Sequence, residues 1–291
     1  MKFRTEIEPI PGLQGVIDHS QPVVMLGSCF TDNIGARLAE GGFDVDVNPA
    51  GTLFNPLSIL STLERIADGR RFTADDLVRD ADGVWHSFDL HSRFSSRDAA
   101  EVTASANQRF DCAARAFRAA GVAIITLGSA VVFEHASGRV VANCHKFPAA
   151  DFTRVALTLD TTVGALRDIV GTLRRMSPGV RVIFTVSPVR HTAYGLHGNQ
   201  LSKATLLLAV DTIVGRSASN DIIYYPAYEI VNDDLRDYRF YDEDLKHPSK
   251  MAVDYIYDHF QSTFFTAATR DKARMATRQA RQQAHRPLIN H

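Results

Sequence analysis

With 291 residues, 45% hydrophobic and 22% charged, the chain has the composition of a globular protein with a sizeable core, in one large domain or two small ones. A formal net charge of -1 gives no general attraction to nucleic acid or to an anionic membrane surface, so neither is expected as a partner. Three cysteines, Cys29, Cys112 and Cys144, without CxxC spacing argue against a disulfide framework and a structural zinc site.

The chain opens on "MKFRTEIEPIPGLQG", too charged and too broken by prolines for a signal peptide, and no apolar run reaches the length of a membrane span. A cytoplasmic protein is expected. "PVVMLG" (22–27) predicts a buried strand that stops abruptly at Gly27-Ser28-Cys29, where a helical pattern begins at once. Residues 50–95 are less regular and read as an insertion, with a helix starting near Pro56. Residues 98–119 predict a helix with Ala106, Phe110, Ala113 and Phe117 on one face, followed by a strand in "VAIITLG" (122–128). "VVFEHASGRVVA" (131–142) predicts a hairpin turning at Ser137-Gly138.

Further helices are expected at 160–176, at 202–217 and after Pro248, with strands in "VRVIFTVS" (180–187) and "DIIYYP" (221–226). From Ala267 the chain turns basic, with Arg270, Lys272, Arg274, Arg278, Arg281 and Arg286 against the single acid Asp271. That tail, 267–291, is expected to be a solvated helix or a mobile end, and 1–266 a single domain. Alternating strands and helices give an α/β fold, a doubly wound and mainly parallel sheet.

In such a sheet, ligands bind beyond the carboxyl ends of the strands, which directs attention to Gly27-Ser28-Cys29, Gly128-Ser129, "SPVRH" (187–191) and Tyr225-Pro226. A serine between a buried strand and a helix N-terminus sits beside free N–H groups suited to a developing oxyanion. The same serine is equally well placed as a plain helix cap. In "YDEDLKHPS" (241–249), Asp244 lies three residues before His247. A carboxylate so placed can hold Nδ1–H and leave Nε2 to take a proton from a nucleophile. Cys29 is a competing nucleophile with His247 or His145 as base. If Ser28 points outward, however, Cys29 is expected to turn inward and pack under the helix.

Gly27-Ser28-Cys29-Phe30 together with Asp244-x-x-His247-Pro248 resembles the SGNH (GDSL-like) hydrolases, and more closely the GSCFA family, with Thr31 at the last motif position. "NPAGTLFNP", "WHSFDLHSRFS", "ITLGSA", "NCHK", "TVSPVRH" and "LRDYRFYDEDLKHPS" extend the resemblance over about residues 20–260. The resemblance implies a three-layer α/β/α sandwich of SGNH-hydrolase type with flavodoxin-like strand order. It also implies Ser28 as nucleophile, His247 as base and Asp244 as its orienting partner, with Gly51 supplying an oxyanion N–H. An asparagine that should complete the hole is missing from "LGSAVV" (127–132), and Ser129, Asn55 or Asn143 are the candidates to replace it.

His145 (or Lys146) is a candidate substrate contact, as are Arg190 and His191 for an anionic or polyol group. No metal is expected: there is no HExxH, and His86 with His91 is the nearest approach to a ligand pair. Gly27-Ser28-Cys29 lacks the later glycines of a dinucleotide loop, and no cofactor is expected. The expected activity is a serine esterase or acyltransferase acting on O-acyl groups of a small-molecule, glycan or other polyol substrate. The alternative is an SGNH-like module that binds a ligand or carbohydrate without turnover.

Overall fold

The computed structural model describes residues 4–216 and 221–284. In chain order the elements are β1 (Val23–Gly27), α1 (Cys29–Glu40), β2 (Val45–Val47), α2 (Pro56–Asp68), β3 (Val78–Arg79), β4 (Trp85–His86) and α3 (Ala99–Ala119). There follow β5 (Val122–Leu127), β6 (Val131–His135), β7 (Val140–Val141), β8 (Phe152–Ala156), α4 (Leu159–Met176), β9 (Arg181–Val186) and α5 (Gly195–Gly215). The chain ends on β10 (Ile222–Tyr225), α6 (Ala227–Glu229), α7 (Lys250–Phe264) and α8 (Ala267–Ala284).

Five strands form one parallel sheet in the order β10-β9-β5-β1-β2. Counted within that sheet alone, this is the flavodoxin-like order, and the winding reverses between β1 and β5. Alternation along β1 separates the two cores. Val24 and Leu26 pack with Ile59 and Leu63 of α2, Phe110 of α3, Leu166 of α4 and Leu206 of α5. Val23 and Met25 pack on the other face with Ile34 and Leu38 of α1 and Ile256 and Phe260 of α7. Both faces are covered, which is why the central strands read as unbroken apolar runs. The result is the expected three-layer α/β/α sandwich.

The expected hairpin forms from β6 and β7, and β8 adds a third antiparallel strand to it. This small sheet and the β3–β4 pair stand apart from the main sheet. Helix α5 starts at Gly195, earlier than the apolar pattern begins, because its first turns are polar. The basic segment forms α8, whose Ala273 is buried against α1 and α7. A side chain added at Gly42 would meet Ala276 of that helix at 3.1 Å. Arg286 lies outside the described residues. Among the described residues no helix is long and apolar enough to cross a membrane.

Candidate active site

The site begins where β1 ends. Gly27 has φ +147°, and a Cβ there would stand 2.1 Å from the Thr126 carbonyl oxygen of β5. Only glycine permits this approach, which brings the β1–α1 elbow down onto β5 at the winding reversal. Asn48 holds the elbow from the far side: its Oδ1 accepts from Gly27 N at 2.9 Å and its Nδ2 donates to Asp32 of α1 at 2.8 Å. Gly27→Ala should cost more than about 2 kcal/mol of stability, read from urea unfolding, because the clash is with backbone. A cost within experimental error would show that the elbow is looser than this geometry.

Ser28 is fully buried. Its N–H donates to Thr126 O at 3.2 Å, and its Oγ accepts from Phe30 N at 3.3 Å as the N-cap of α1. Cys29, the first helical residue, is half-buried and lines an open cavity at the carboxyl end of the sheet. Cys29 both lines the cavity and packs against the core that holds Phe30 and Ile34, so the packing expected of it is met in part, while the Ser28 Oγ caps the helix. Burial and the nearby Asp32 carboxylate push the Cys29 thiol pKa up, so this thiol needs a base to become a thiolate.

A base lines the same cavity. His247 Nδ1 pairs with Asp244 Oδ2 at 2.6 Å, while Asp244 Oδ1 accepts from the backbone N–H of Lys246 at 2.9 Å and of His247 at 3.0 Å. Leu245, at φ 57°, lets the chain curl tightly enough for one carboxylate to take all three donors. These bonds hold the Asp244 carboxyl well below the usual carboxylate range, so it stays ionised. His247 Nε2 has no protein partner among the described residues. The loop is tied to the strand ends by Arg190 N donating to Lys246 O at 3.1 Å.

The cavity has a volume of about 520 Å³. Val131 and Phe133 of β6, Val141 of β7, and Phe54 give it apolar lining, while Thr52, Asn55, His91, Asn143, Cys144, Arg190, His191 and Tyr194 supply polar and aromatic groups. The candidates for the oxyanion hole separate sharply. Gly51 does not line the cavity, and its N–H is spent on Asn48 O at 2.8 Å. With φ +93° and His91 Cβ 2.1 Å from where its own Cβ would be, Gly51 serves close packing instead. Thr52, the next residue, lines the cavity, and its N–H has no protein partner among the described residues.

Asn55 caps α2, accepting from Ser58 N at 2.8 Å and donating to Ser58 Oγ at 3.0 Å. Ser129 gives its N–H to Phe54 O at 2.7 Å, and its hydroxyl is held by Tyr194, Ser202 and the N–H of Val131. Asn143 remains: Oδ1 accepts from His145 N at 3.0 Å, and Nδ2 has no protein partner among the described residues.

His145 is not at the rim. It is buried beside His86 and Phe88, its Nε2 bonded to Ser87 O at 2.7 Å, and burial lowers its pKa. The left-handed backbone at His145 and Lys146 turns the ring inward. His86 spends its ring nitrogens on Asp80 at 2.9 Å and Ser95 at 2.7 Å, which suits hydrogen bonding within the insertion rather than a metal.

His191 lines the cavity with Nε2 buried and unpartnered. Burial first, then Lys203 and His247, bring its pKa down to about 4, so it is neutral at pH 7. An unfolded histidine takes up its proton at the ordinary value, 6.5, so the unfolded state binds more protons between the two values. Stability present above pH 6.5 should be lost as the pH falls to 4, by about 3 kcal/mol from this residue alone. Urea midpoints should fall less steeply over that window in His191→Gln, and parallel curves for the two proteins would refute the shift.

Two groups here escape sequence reasoning. Asn48 sits at φ 43°, a left-handed position that asparagine tolerates, and only the fold brings it to the elbow. Lys203 of α5 is 1% exposed and donates to Gly128 O at 2.6 Å and Ser187 O at 2.7 Å, joining the carboxyl ends of β5 and β9. Its signal was present: Asn199, Lys203, Leu206 and Val210 recur at helical spacing, which puts this lysine on the buried stripe. Burial lowers its pKa to about 7.

A model of the GSCFA family matches residues 22–260. The chain belongs to the GSCFA family. In this GSCFA protein the family match spans the elbow, the cavity wall and the Asp244–His247 loop alike. No curated protein matches it in sequence. Among solved structures it is similar to a putative acylhydrolase from Bacteroides fragilis, at 10% identity over 90% of this chain and 92% of that one, with a TM-score of 0.44. A carbohydrate esterase family 2 enzyme from Corynascus thermopiles shares 13% identity over 88% of this chain and 68% of that one, with a TM-score of 0.45. A carbohydrate esterase family 3 protein from Talaromyces cellulolyticus shares 10% identity over 82% and 94%, with a TM-score of 0.41. Likenesses this distant carry no inference about activity.

Proposed function

We propose that this protein transfers or hydrolyses O-acyl groups through a Cys29–His247–Asp244 triad. The observation that supports this most is the Asp244-held imidazole on the same cavity as the thiol at the N-terminus of α1. Ser28 was the nucleophile expected from the sequence; its buried, capping Oγ favours Cys29 in that role.

In the proposed reaction His247 Nε2 takes the thiol proton as Sγ attacks the acyl carbonyl. The C–O bond then breaks, the proton passes from His247 to the departing alkoxide, and a thioester remains on Cys29. Water, or the hydroxyl of an acceptor, attacks the thioester while giving its proton to His247, which returns it to the departing thiolate. The tetrahedral oxyanion has three donors on the cavity to draw on. They are the N–H of Cys29 in the first turn of α1, the N–H of Thr52 and the side-chain amide of Asn143.

A burst experiment tests the reaction class. Mixed with 4-nitrophenyl acetate, the protein should release one equivalent of nitrophenolate quickly and then turn over more slowly, and His247→Ala should remove the burst. Release no faster than in buffer, by a folded protein, would favour a binding module instead.

A further inference from the structure

The strand-end loop after β9 presents one cation to the cavity, Arg190. Its guanidinium stacks 4.1 Å from the Tyr241 ring centroid and 5.3 Å from that of Tyr238. It has no carboxylate partner among the described residues. Stacking covers the flat face of a guanidinium and leaves its edge N–H groups to bind in plane.

Among the described residues the lining contains no aspartate or glutamate. Two acids beside the reacting groups are already occupied, Asp244 by His247 and Asp32 by Asn48 and Thr52. The buried Lys203 amine donates to two carbonyl oxygens and lies 6.0 Å from the Tyr228 ring centroid, with no carboxylate partner among the described residues. An unpaired arginine in a concave, acid-free wall raises the local concentration of anions. Phe54 and Phe133, 36% and 41% exposed, supply apolar surface on the same cavity.

We propose that the substrate's ester carries an anionic group, a carboxylate or phosphate, that Arg190 binds while the acyl carbonyl lies at Cys29. This rests on the acyl-transfer reading above and specifies the substrate for it. The anion belongs to either the acyl part or the alcohol part, and two pairs of esters separate these. One pair is 4-nitrophenyl hydrogen succinate against 4-nitrophenyl butyrate; the other is 4-acetoxybenzoate against phenyl acetate.

In one pair the anionic ester should have a kcat/KM at least about 10-fold above its neutral partner. That preference should collapse toward unity in Arg190→Gln, survive in part in Arg190→Lys, and weaken in the wild type as salt is raised. Should Arg190→Gln fail to fold, the wild-type preference and its salt dependence decide the matter. Equal rates for charged and neutral esters in both pairs, or a preference untouched by Arg190→Gln, would overturn the proposal. The two readings fail separately. Acylation by the neutral esters without charge preference refutes only the role of Arg190, whereas no acylation by any ester refutes the triad.

Discussion

Replacing Cys29 with alanine is expected to lower kcat/KM for an activated ester by at least ~10³-fold and to abolish acylation of the protein, because no covalent intermediate can then form. Ser28→Ala should do something different. It removes the cap of α1, costing about 1 kcal/mol of stability, and leaves the acylated residue in place. The contrast is informative because the two residues are neighbours in the chain and point into different surroundings. Cys29→Ser is the subtler variant: it keeps a nucleophile of similar shape, but a hydroxyl is much harder to ionise than a thiol. The His247 that serves a thiol should activate it poorly. If Ser28→Ala abolished acylation in a folded protein while Cys29→Ala did not, the assignment would be reversed.

The second large effect belongs to Asp244. Asp244→Asn keeps the loop's shape but replaces an acceptor with an amide that can also donate toward His247 Nδ1, favouring the wrong tautomer. The acylation rate should fall by about 10²–10⁴-fold, the range expected when such a base loses its orienting carboxylate. Single-turnover nitrophenolate release measures this step apart from deacylation. Since the Asp244 carboxyl is held well below its ordinary range, it stays ionised through the whole neutral and mildly acidic region. Any acid limb of the rate profile between pH 5 and 8 therefore belongs to another group. An unchanged rate in Asp244→Asn would remove Asp244 from the mechanism.

Much of the architecture was legible because burial on both faces writes an unambiguous pattern. Val122–Leu127 is buried at every position and reads as a strand without its neighbours. Val45–Val47, a three-residue edge strand with an aspartate at its centre and only half-buried, carries no such pattern. The same holds for Phe152–Ala156, whose exposed positions include Arg154. The Asp244–His247 pair was legible because both partners sit in one short loop, where spacing alone nearly fixes geometry. The Ser28–Cys29 choice is not legible in that way, because which of two adjacent side chains meets a substrate depends on backbone angles at the elbow. Gly51, Asn55 and Ser129 are the right residue types for an oxyanion hole, but hydrogen bonds visible only in three dimensions claim the N–H groups of Gly51 and Ser129 and one of the two amide hydrogens of Asn55. Asn143 differs from Gly51 and Ser129 by an amide nitrogen with no protein partner among the described residues, which no sequence pattern records.

Peptide mapping of the acetylated protein tests the central claim most directly. After brief exposure to 4-nitrophenyl acetate and quenching in acid, which preserves thioesters, the acetyl group should lie on Cys29. It should be lost on treatment with hydroxylamine and be absent from Cys29→Ala and His247→Ala. An acetyl group on Ser28, or on any residue that labels equally in His247→Ala, would contradict the account.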